Sequence, residues 1–151
     1  THRTLDTRLA ICELIASHTD MILVGDTFIN ASTQKVMKEF QEGFVSLKAQ
    51  APAALTGKVL HDRIDASDFL YRVLGTRGSA LLGGEVSTTK RIVGEINQAN
   101  ASYGRYQGEI EIAKVELPAD VRQNVIGHLL PSEIAVFTAL PEGFGIQLEV
   151  E

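Results

Sequence analysis

Hydrophobic and polar positions follow two different patterns along this chain, and the pattern changes near Gly43. Before residue 41, apolar residues recur at helical spacing on either side of a short apolar run. After Gly43, apolar and polar residues alternate in several short segments, which is typical of strands with one buried face. The change predicts two parts: residues 1–41 belong to an α/β domain, and residues 42–151 form a complete β-rich domain.

The first part is predicted to be a helix, a strand and a second helix. Apolar residues recur at helical spacing over residues 4–17, and Thr4 can cap that helix. Residues 21–24 are apolar on both faces, as in a buried parallel strand. Ser32 is predicted to cap the second helix. Because one parallel strand cannot form a sheet alone, we expect this strand to associate with another copy of the chain or to be loosely held.

The second part is predicted to form a small closed or half-closed barrel with short helices. The expected fold class is therefore mainly β with short helices. Strands are expected over residues 45–49, 90–97, 109–112, 124–130 and 146–150, and short helices after Asp65 and at Pro131.

Composition restricts the classes of function. The chain has 151 residues, which is enough for one ordinary domain, and its net charge of −5 argues against a nucleic-acid partner. That charge does not exclude a phosphorylated small ligand, because a few local cations are enough to bind one. Cys12 is the only cysteine, so it forms no intrachain disulfide and no cysteine metal site, and it is predicted to be buried as a small apolar residue.

The sequence also limits where the protein is located and which membranes, metals and cofactors it can bind. No apolar run approaches the roughly 20 residues that span a bilayer, and no leader peptide is visible, so a cytoplasmic protein without membrane contact is expected. Histidines and carboxylates do not occur at metal-ligand spacing, and there is no phosphate-binding loop. We therefore expect no metal and no cofactor.

A resemblance to a known family adds to this picture. Residues 103–112 read Tyr-Gly-Arg-Tyr-Gln-Gly-Glu-Ile-Glu-Ile, residues 117–118 read Leu-Pro, and residues 124–128 read Asn-Val-Ile-Gly-His. These segments resemble the C-terminal domain of the bacterial 6-phospho-N-acetylmuramidases, long labelled outer surface proteins. Members of that family resemble a TIM barrel followed by a cyclophilin-like β-barrel domain.

The beginning of the chain also fits this family. His2-Arg3 is similar to the His-Arg that follows the seventh barrel strand. Residues 22–26 are similar to the eighth strand, although Thr27 stands where the family usually has proline. The resemblance implies that residues 1–41 are the tail of a TIM-type barrel and residues 42–151 a cyclophilin-like domain. It also implies a parent enzyme that hydrolyses 6-phospho-N-acetylmuramyl glycosides in peptidoglycan recycling, while the isolated chain is expected to be inactive.

Three residues of the first part are candidates for chemistry. Asp26 follows a predicted barrel strand at the end where such barrels place active sites, so it is a candidate catalytic carboxylate. The alternative is a turn aspartate that accepts backbone hydrogen bonds. His2 and Arg3 are candidates for phosphate or carboxylate binding, because loops after the last barrel strands often hold phosphate. The alternative is a solvated terminus.

The second part contributes Arg105, Tyr106 and Glu109 as candidate substrate-binding residues. Gly104 and Gly108 around them allow close backbone approach. In one interpretation Arg105 reaches an anionic substrate across the domain interface. In the other, an Arg–Glu pair and a packed tyrosine hold the barrel rim.

Two classes of function remain open. The chain is either the substrate-capping accessory domain of a glycoside hydrolase, or a non-catalytic binding or dimerisation module. Peptidyl-prolyl isomerase activity would rest on fold analogy alone, and the sequence has no convincing equivalent of the catalytic arginine motif of cyclophilins.

Overall fold

The structure is a computed structural model, and it describes residues 5–25 and 28–150. In these ranges the chain forms two helices first, and its strands follow after residue 43. The elements are α1 (Thr7–Ala16), α2 (Ala31–Gln41), β1 (Phe44–Gln50), β2 (Val59–Leu60), β3 (Leu70–Arg72), β4 (Glu85–Ser87), β5 (Glu95–Ala99), β6 (Ile110–Ala113), β7 (Asp120–Leu129), α3 (Ile134–Thr138) and β8 (Gly145–Val150), with 3-10 turns at Ala53–Leu55, Ala101–Tyr106 and Pro131–Glu133.

The strands form a single sheet in the order β2-β8-β1-β7-β5-β6-β3, and β4 pairs with β7. Strands β1 and β8 are parallel, and the other pairs are antiparallel. Asp62, after β2, forms an antiparallel bridge with Val73, after β3. The Arg63 N–H also donates to the Arg72 carbonyl at 2.9 Å. These contacts join the two ends of the row, so the sheet closes into a barrel and the mainly β fold class is confirmed.

Alternating residues of the barrel strands fill its interior. Val45 and Leu47 on β1 face Ile146 and Leu148 on β8, and each of these side chains is almost fully buried. Burial of a side chain of this size contributes about 1.5–3 kcal/mol, so these pairs hold the parallel strands together. The strands predicted near residues 45–49, 109–112, 124–130 and 146–150 are confirmed.

The helix predicted after Asp65 is wrong. Residues 70–72 form β3 instead, and the side chains of Phe69 and Leu74 are 57% and 62% exposed. Tyr71 and Val73 are buried on either side of a polar residue, which is the period of a strand. Asp65 binds the side chain of Arg63, two residues earlier, at 2.8 Å and 2.6 Å rather than capping a helix.

The strand predicted over residues 90–97 begins later, at Glu95. Gly94 has a φ of +83°, and the Glu95 N–H donates to the Ile92 carbonyl in a tight turn. Ile92 therefore lies before the strand and is 56% exposed, whereas Ile96 is buried as expected.

The two N-terminal helices are present, but other residues cap them. Asp6 caps α1 by accepting from the Arg8 N–H at 2.8 Å, and Thr4 lies outside the described residues. Asn30 rather than Ser32 caps α2, because its side chain accepts from the Thr33 N–H at 2.8 Å. The predicted burial of Cys12 is confirmed, and burial raises the pKa of its thiol to about 11.

Residues 21–24 form no regular secondary structure and pair with none of the described strands. Met21 and Leu23 are 72% and 82% exposed, so the expected orphan strand is an exposed apolar segment. The helices beside it contact the barrel: Arg8 donates to the Ser46 carbonyl at 2.9 Å, and Glu39 accepts from the Ser46 N–H at 3.0 Å. The boundary at residues 41–42 and the origin of residues 1–41 in a TIM barrel stay predictions.

Candidate functional site

A tight turn between β5 and β6 brings the predicted site residues together. The Asn100 side chain accepts from the Ser102 N–H at 3.0 Å, which forms an Asx-type turn. Gly108 has a φ of +84°, and a Cβ atom there would lie 2.5 Å from the Ser79 carbonyl oxygen. Only glycine allows this contact, which presses the loop that carries Arg77 against the start of β6.

Glu109 is the centre of the site. It is 3% exposed, and its carboxylate binds three guanidinium groups. Oε1 lies 2.7 Å from Nη1 of Arg63 and 2.5 Å from Nη2 of Arg72. Oε2 accepts from Nε and Nη2 of Arg77 at 3.2 Å and 3.1 Å. One buried carboxylate therefore gathers three cations at the barrel surface.

Tyr106 forms the second layer of the site. The guanidinium carbons of Arg77 and Arg105 lie 4.6 Å and 4.9 Å from its ring centroid, which is cation–π distance. The Arg105 Nη2 also donates to the Tyr106 hydroxyl at 2.8 Å. The ring of Tyr103 packs edge-on against Tyr106 at 5.5 Å.

The structure thus places Arg105, Tyr106 and Glu109 in one cluster, but it does not form the Arg105–Glu109 pair of the second interpretation. Glu109 is occupied by other arginines, and no described carboxylate pairs with Arg105. The other predicted site residues, Asp26 and the dipeptide His2-Arg3, lie outside the described residues.

Three residues of the cluster were missed by the sequence analysis: Arg63, Arg72 and Arg77. Three of the eight arginines of the chain fall within residues 63–77, which is a signal that could have been used. The wrong helix after Asp65 hid it, because a helix there would not pair Arg72 with β6 as the strand β3 does.

The cluster carries an excess of positive charge. Four guanidinium groups stand against the two carboxylates of Glu109 and Asp65, which leaves two positive charges in a chain of net charge −5. The hydrogen bond from Arg63 holds the pKa of Asp65 below its usual value, so this carboxylate stays ionised. A surface of this kind attracts anions.

Two clefts border the cluster. One of about 230 Å³ is lined by Arg63, Arg77, Glu109 and residues 73–75. The other, of about 590 Å³, is lined by Arg63 and by other residues of the segments 62–71 and 140–144. Arg63 therefore borders both clefts.

The neighbouring carboxylate, Glu111, lies in a different environment. It is 7% exposed and accepts from Nη1 of Arg91 at 2.5 Å, and Arg91 is buried too. Burial raises the pKa of Glu111, and the positive charge of Arg91 partly offsets this effect. The pair is neutral and closed to solvent.

Residues 5–25 and 28–150 contain no group of three or more His, Cys, Asp and Glu side chains arranged to hold a metal ion. Among the same residues, none of the helices is long and apolar enough to cross a membrane.

The sequence matches one family model over residues 28–149, and that model is described as 6-phospho-N-acetylmuramidase, C-terminal. The match covers α2 and the entire barrel. The chain belongs to this family. The resemblance inferred from residues 103–112 is therefore confirmed, and the chain is the C-terminal domain of a 6-phospho-N-acetylmuramidase family member. No curated protein shows significant similarity to the sequence.

Two solved structures share the fold of this C-terminal domain. One is described as an uncharacterized B. cereus protein; it is 19% identical, with a TM-score of 0.67 over 98% of this chain and 46% of its own. The other is described as a conserved protein of unknown function from a locus in Enterococcus faecalis; it is 26% identical, with a TM-score of 0.71 over 95% of this chain and 41% of its own. The chain thus spans less than half the length of both.

Proposed function

We propose that this domain caps the substrate site of a glycoside hydrolase that cleaves 6-phospho-N-acetylmuramyl glycosides in cytoplasmic peptidoglycan recycling. The family membership supports the class of enzyme. The single observation that carries the capping role is the arginine cluster around Glu109, whose excess charge suits an anionic substrate. The isolated domain is not expected to be active, because its candidate carboxylate Asp26 would need the rest of a longer enzyme.

Arg105 is the residue that tests the capping role. It is exposed and has no described carboxylate partner, so its removal disturbs little of the barrel. In the full-length enzyme, Arg105→Ala should raise KM for a 6-phosphomuramyl glycoside by about tenfold, the value of a lost charge-assisted hydrogen bond. KM for the unphosphorylated analogue should stay within about twofold.

Arg122 offers a matched control. Its guanidinium carbon lies 4.3 Å from the ring centroid of Tyr103, but Asp120 binds it bidentately at 2.8 Å, so its charge is already balanced. Arg122→Ala should change neither KM. Equal effects of Arg105→Ala on both substrates would reject the capping role and favour a structural one.

The candidate catalytic and phosphate-binding residues of the first part can be tested in the same enzyme. Asp26→Asn should abolish most turnover with little change in KM if the carboxylate acts in the transition state. The same substitution should leave binding of a product analogue intact. Unchanged turnover would remove Asp26 from the catalytic residues, and unchanged KM in His2→Ala and Arg3→Ala variants would remove those two from the binding site.

A second candidate function, self-association, is favoured by the exposed apolar residues of segment 21–24 and by Phe28. In addition to Met21 and Leu23, Phe28 is 90% exposed there. Exposed apolar surface of this kind is typical of an interface. Sedimentation velocity should show a dimer that Leu23→Ser and Phe28→Ser convert to monomer, and a wild-type monomer at all concentrations would rule this role out.

A further inference from the structure

We propose that helices α1 and α2 form a cover that opens from the barrel without unfolding it. Arg8 and Glu39 hold this cover shut, because their side chains take the place of a strand at the edge of β1. The inference is independent of the proposed function. It assigns these two side chains a role in a conformational change rather than in substrate binding.

The edge of β1 shows why a substitute is needed. On that edge β7 pairs with β1 at Ala49, and the Leu130 N–H donates to the Lys48 carbonyl at 3.0 Å. The chain then turns away in the 3-10 turn that begins at Pro131. Backbone groups alternate between the two edges of a strand, so Ser46 is the next residue of β1 to face this edge. None of the described strands reaches it there.

Two charged side chains complete the ladder at Ser46. Glu39 Oε2 accepts from the Ser46 N–H at 3.0 Å, and Arg8 Nη1 donates to the Ser46 carbonyl at 2.9 Å. These are the acceptor and the donor that a neighbouring strand would supply. Glu39 Oε1 also accepts from the Ser46 hydroxyl at 2.8 Å, and the buried Glu133 carboxylate binds Arg8 at 2.5 Å. We call Arg8, Glu39 and Ser46 the clasp.

The clasp is the buried part of the joint between α2 and the barrel. Within α2, which the structure describes in full, Glu39 is the one buried residue, at 6% exposure. Phe40 beside it is half-buried and packs against Phe144, with the ring centroids 5.4 Å apart. Loss of the clasp therefore leaves α2 with half-buried apolar contacts.

The barrel keeps its own core when the cover opens. Among the described residues, the buried members of the main apolar cluster all lie between Val45 and Leu148, after α2. Gly43 joins α2 to β1 with a φ of +78°, and no atom lies within 4 Å of the position of a Cβ there. The backbone at Gly43 thus has room to turn while the strands stay paired.

Cys12 makes the opening measurable. It is the only cysteine of the sequence, lies on α1 and is 0% exposed, so a thiol reagent reaches it only when α1 leaves its neighbours. Its labelling rate is measured in the folded protein at low urea, together with the exchange of the Ser46 amide hydrogen by NMR. Both rates should give one opening free energy. That free energy should lie below that of global unfolding and change little with urea, because a local opening exposes little surface.

Variants of the clasp should raise both rates. Glu39→Ala removes both hydrogen bonds to Ser46, so Cys12 labelling and Ser46 exchange should speed up at least about tenfold, the effect of one lost hydrogen bond to a charged group. Arg8→Met should act in the same direction. Glu39→Gln should have a smaller effect than Glu39→Ala, since its amide oxygen still accepts from the Ser46 N–H.

Two further variants separate opening of the cover from unfolding of the barrel. Glu42→Ala is the matched control for Glu39→Ala, because Glu42 follows the same helix and forms an exposed pair with Lys38 at 3.8 Å, so both rates should stay within about twofold. Ile112→Val, in the barrel core, destabilises the closed and the open forms alike. It should speed the exchange of barrel amides severalfold and leave Cys12 labelling within about twofold.

Three results would overturn the inference. If Ile112→Val speeds Cys12 labelling as much as barrel exchange, the cover opens only when the whole domain unfolds. Unchanged labelling in both Glu39→Ala and Arg8→Met, or an equal rise in Glu42→Ala, would show that the clasp does not hold the cover. Circular dichroism checks the fold of each variant. The Ile112→Val comparison keeps the clasp intact, so it decides the matter even where a clasp variant fails to fold.

Discussion

Glu109 directly precedes β6 and Glu111 lies on it, and both are buried, yet their surroundings differ. Glu111 binds one buried arginine, and its pair is neutral and closed. Glu109 binds three partly exposed arginines beside a fourth that has no described carboxylate partner. The comparison teaches that a buried carboxylate alone does not mark a binding site. The surplus of cations around Glu109 is what makes its cluster the candidate site.

The closed pair should be the more sensitive of the two to mutation. Arg91→Met leaves the Glu111 carboxylate buried without its partner, which should lower the free energy of unfolding by about 3–5 kcal/mol. Urea unfolding measures this change. Adding Glu111→Gln to Arg91→Met should recover part of the loss, because a neutral amide costs less to bury. A loss below about 1 kcal/mol would show that Glu111 is hydrated and that the pair is not closed.

The open cluster should lose less stability when its carboxylate is neutralised. Glu109→Gln removes the charge shared by the arginines, but their exposed groups can turn towards water, so a loss of about 1–3 kcal/mol is expected. In the full-length enzyme the same variant should raise KM for the phosphorylated substrate, since Arg77 is no longer held. Glu116→Gln is the matched control: its carboxylate is 58% exposed and, within residues 5–25 and 28–150, its one ion pair is with Lys90, so its effect should stay within about 0.5 kcal/mol. An equal loss in both variants would contradict the central place of Glu109.

The smallest expected effect is the pH dependence of the closed pair. The pKa of Glu111 is raised in the folded state above its ordinary 4.5, so the folded state binds a proton more tightly than the unfolded state. Its contribution to stability is therefore present below pH 4.5 and is lost as the pH rises through the raised pKa. The difference in unfolding free energy between wild type and Glu111→Gln should show this fall.

Asp6 should make the unfolding free energy depend on pH in the opposite direction. Its hydrogen bond to Arg8 lowers its pKa from 3.8, so its contribution is present above that value and is lost as the pH falls through the lowered pKa. Asp6→Asn should remove that loss of stability at acid pH.

The two Glu111 proteins are compared in the same way. A difference in unfolding free energy between wild type and Glu111→Gln that rises with pH would contradict the burial of Glu111.

Much of the barrel could be predicted from the sequence, because alternation is a local signal. Residues 45–49 and 146–150 alternate clearly, and both segments are strands. The region around Arg72 could not be predicted in this way. Its strand is only three residues long, and the turn before it makes its apolar residues resemble a helix face.

The site itself was only partly predictable. The turn chemistry of Asn100 and Gly108 is local, and the run from residue 103 to residue 109 drew attention to the right loop. The partners of Glu109 come from residues 32–46 positions earlier in the chain. The pairing of β3 with β6 brings Arg72 there, and the contact between the ends of β2 and β3 brings Arg63. No spacing in the sequence encodes these pairings.

The parallel pairing of β1 with β8 has a consequence for biosynthesis. The first barrel strand to leave the ribosome finds its parallel neighbour only when residues 145–150 have been made, after almost the whole domain has been translated. Pairings between such distant segments form slowly, so the domain completes its folding only once β8 has been made and inserts between β1 and β2. A nascent chain stalled before Gly145 would expose both edges of that gap to chaperones.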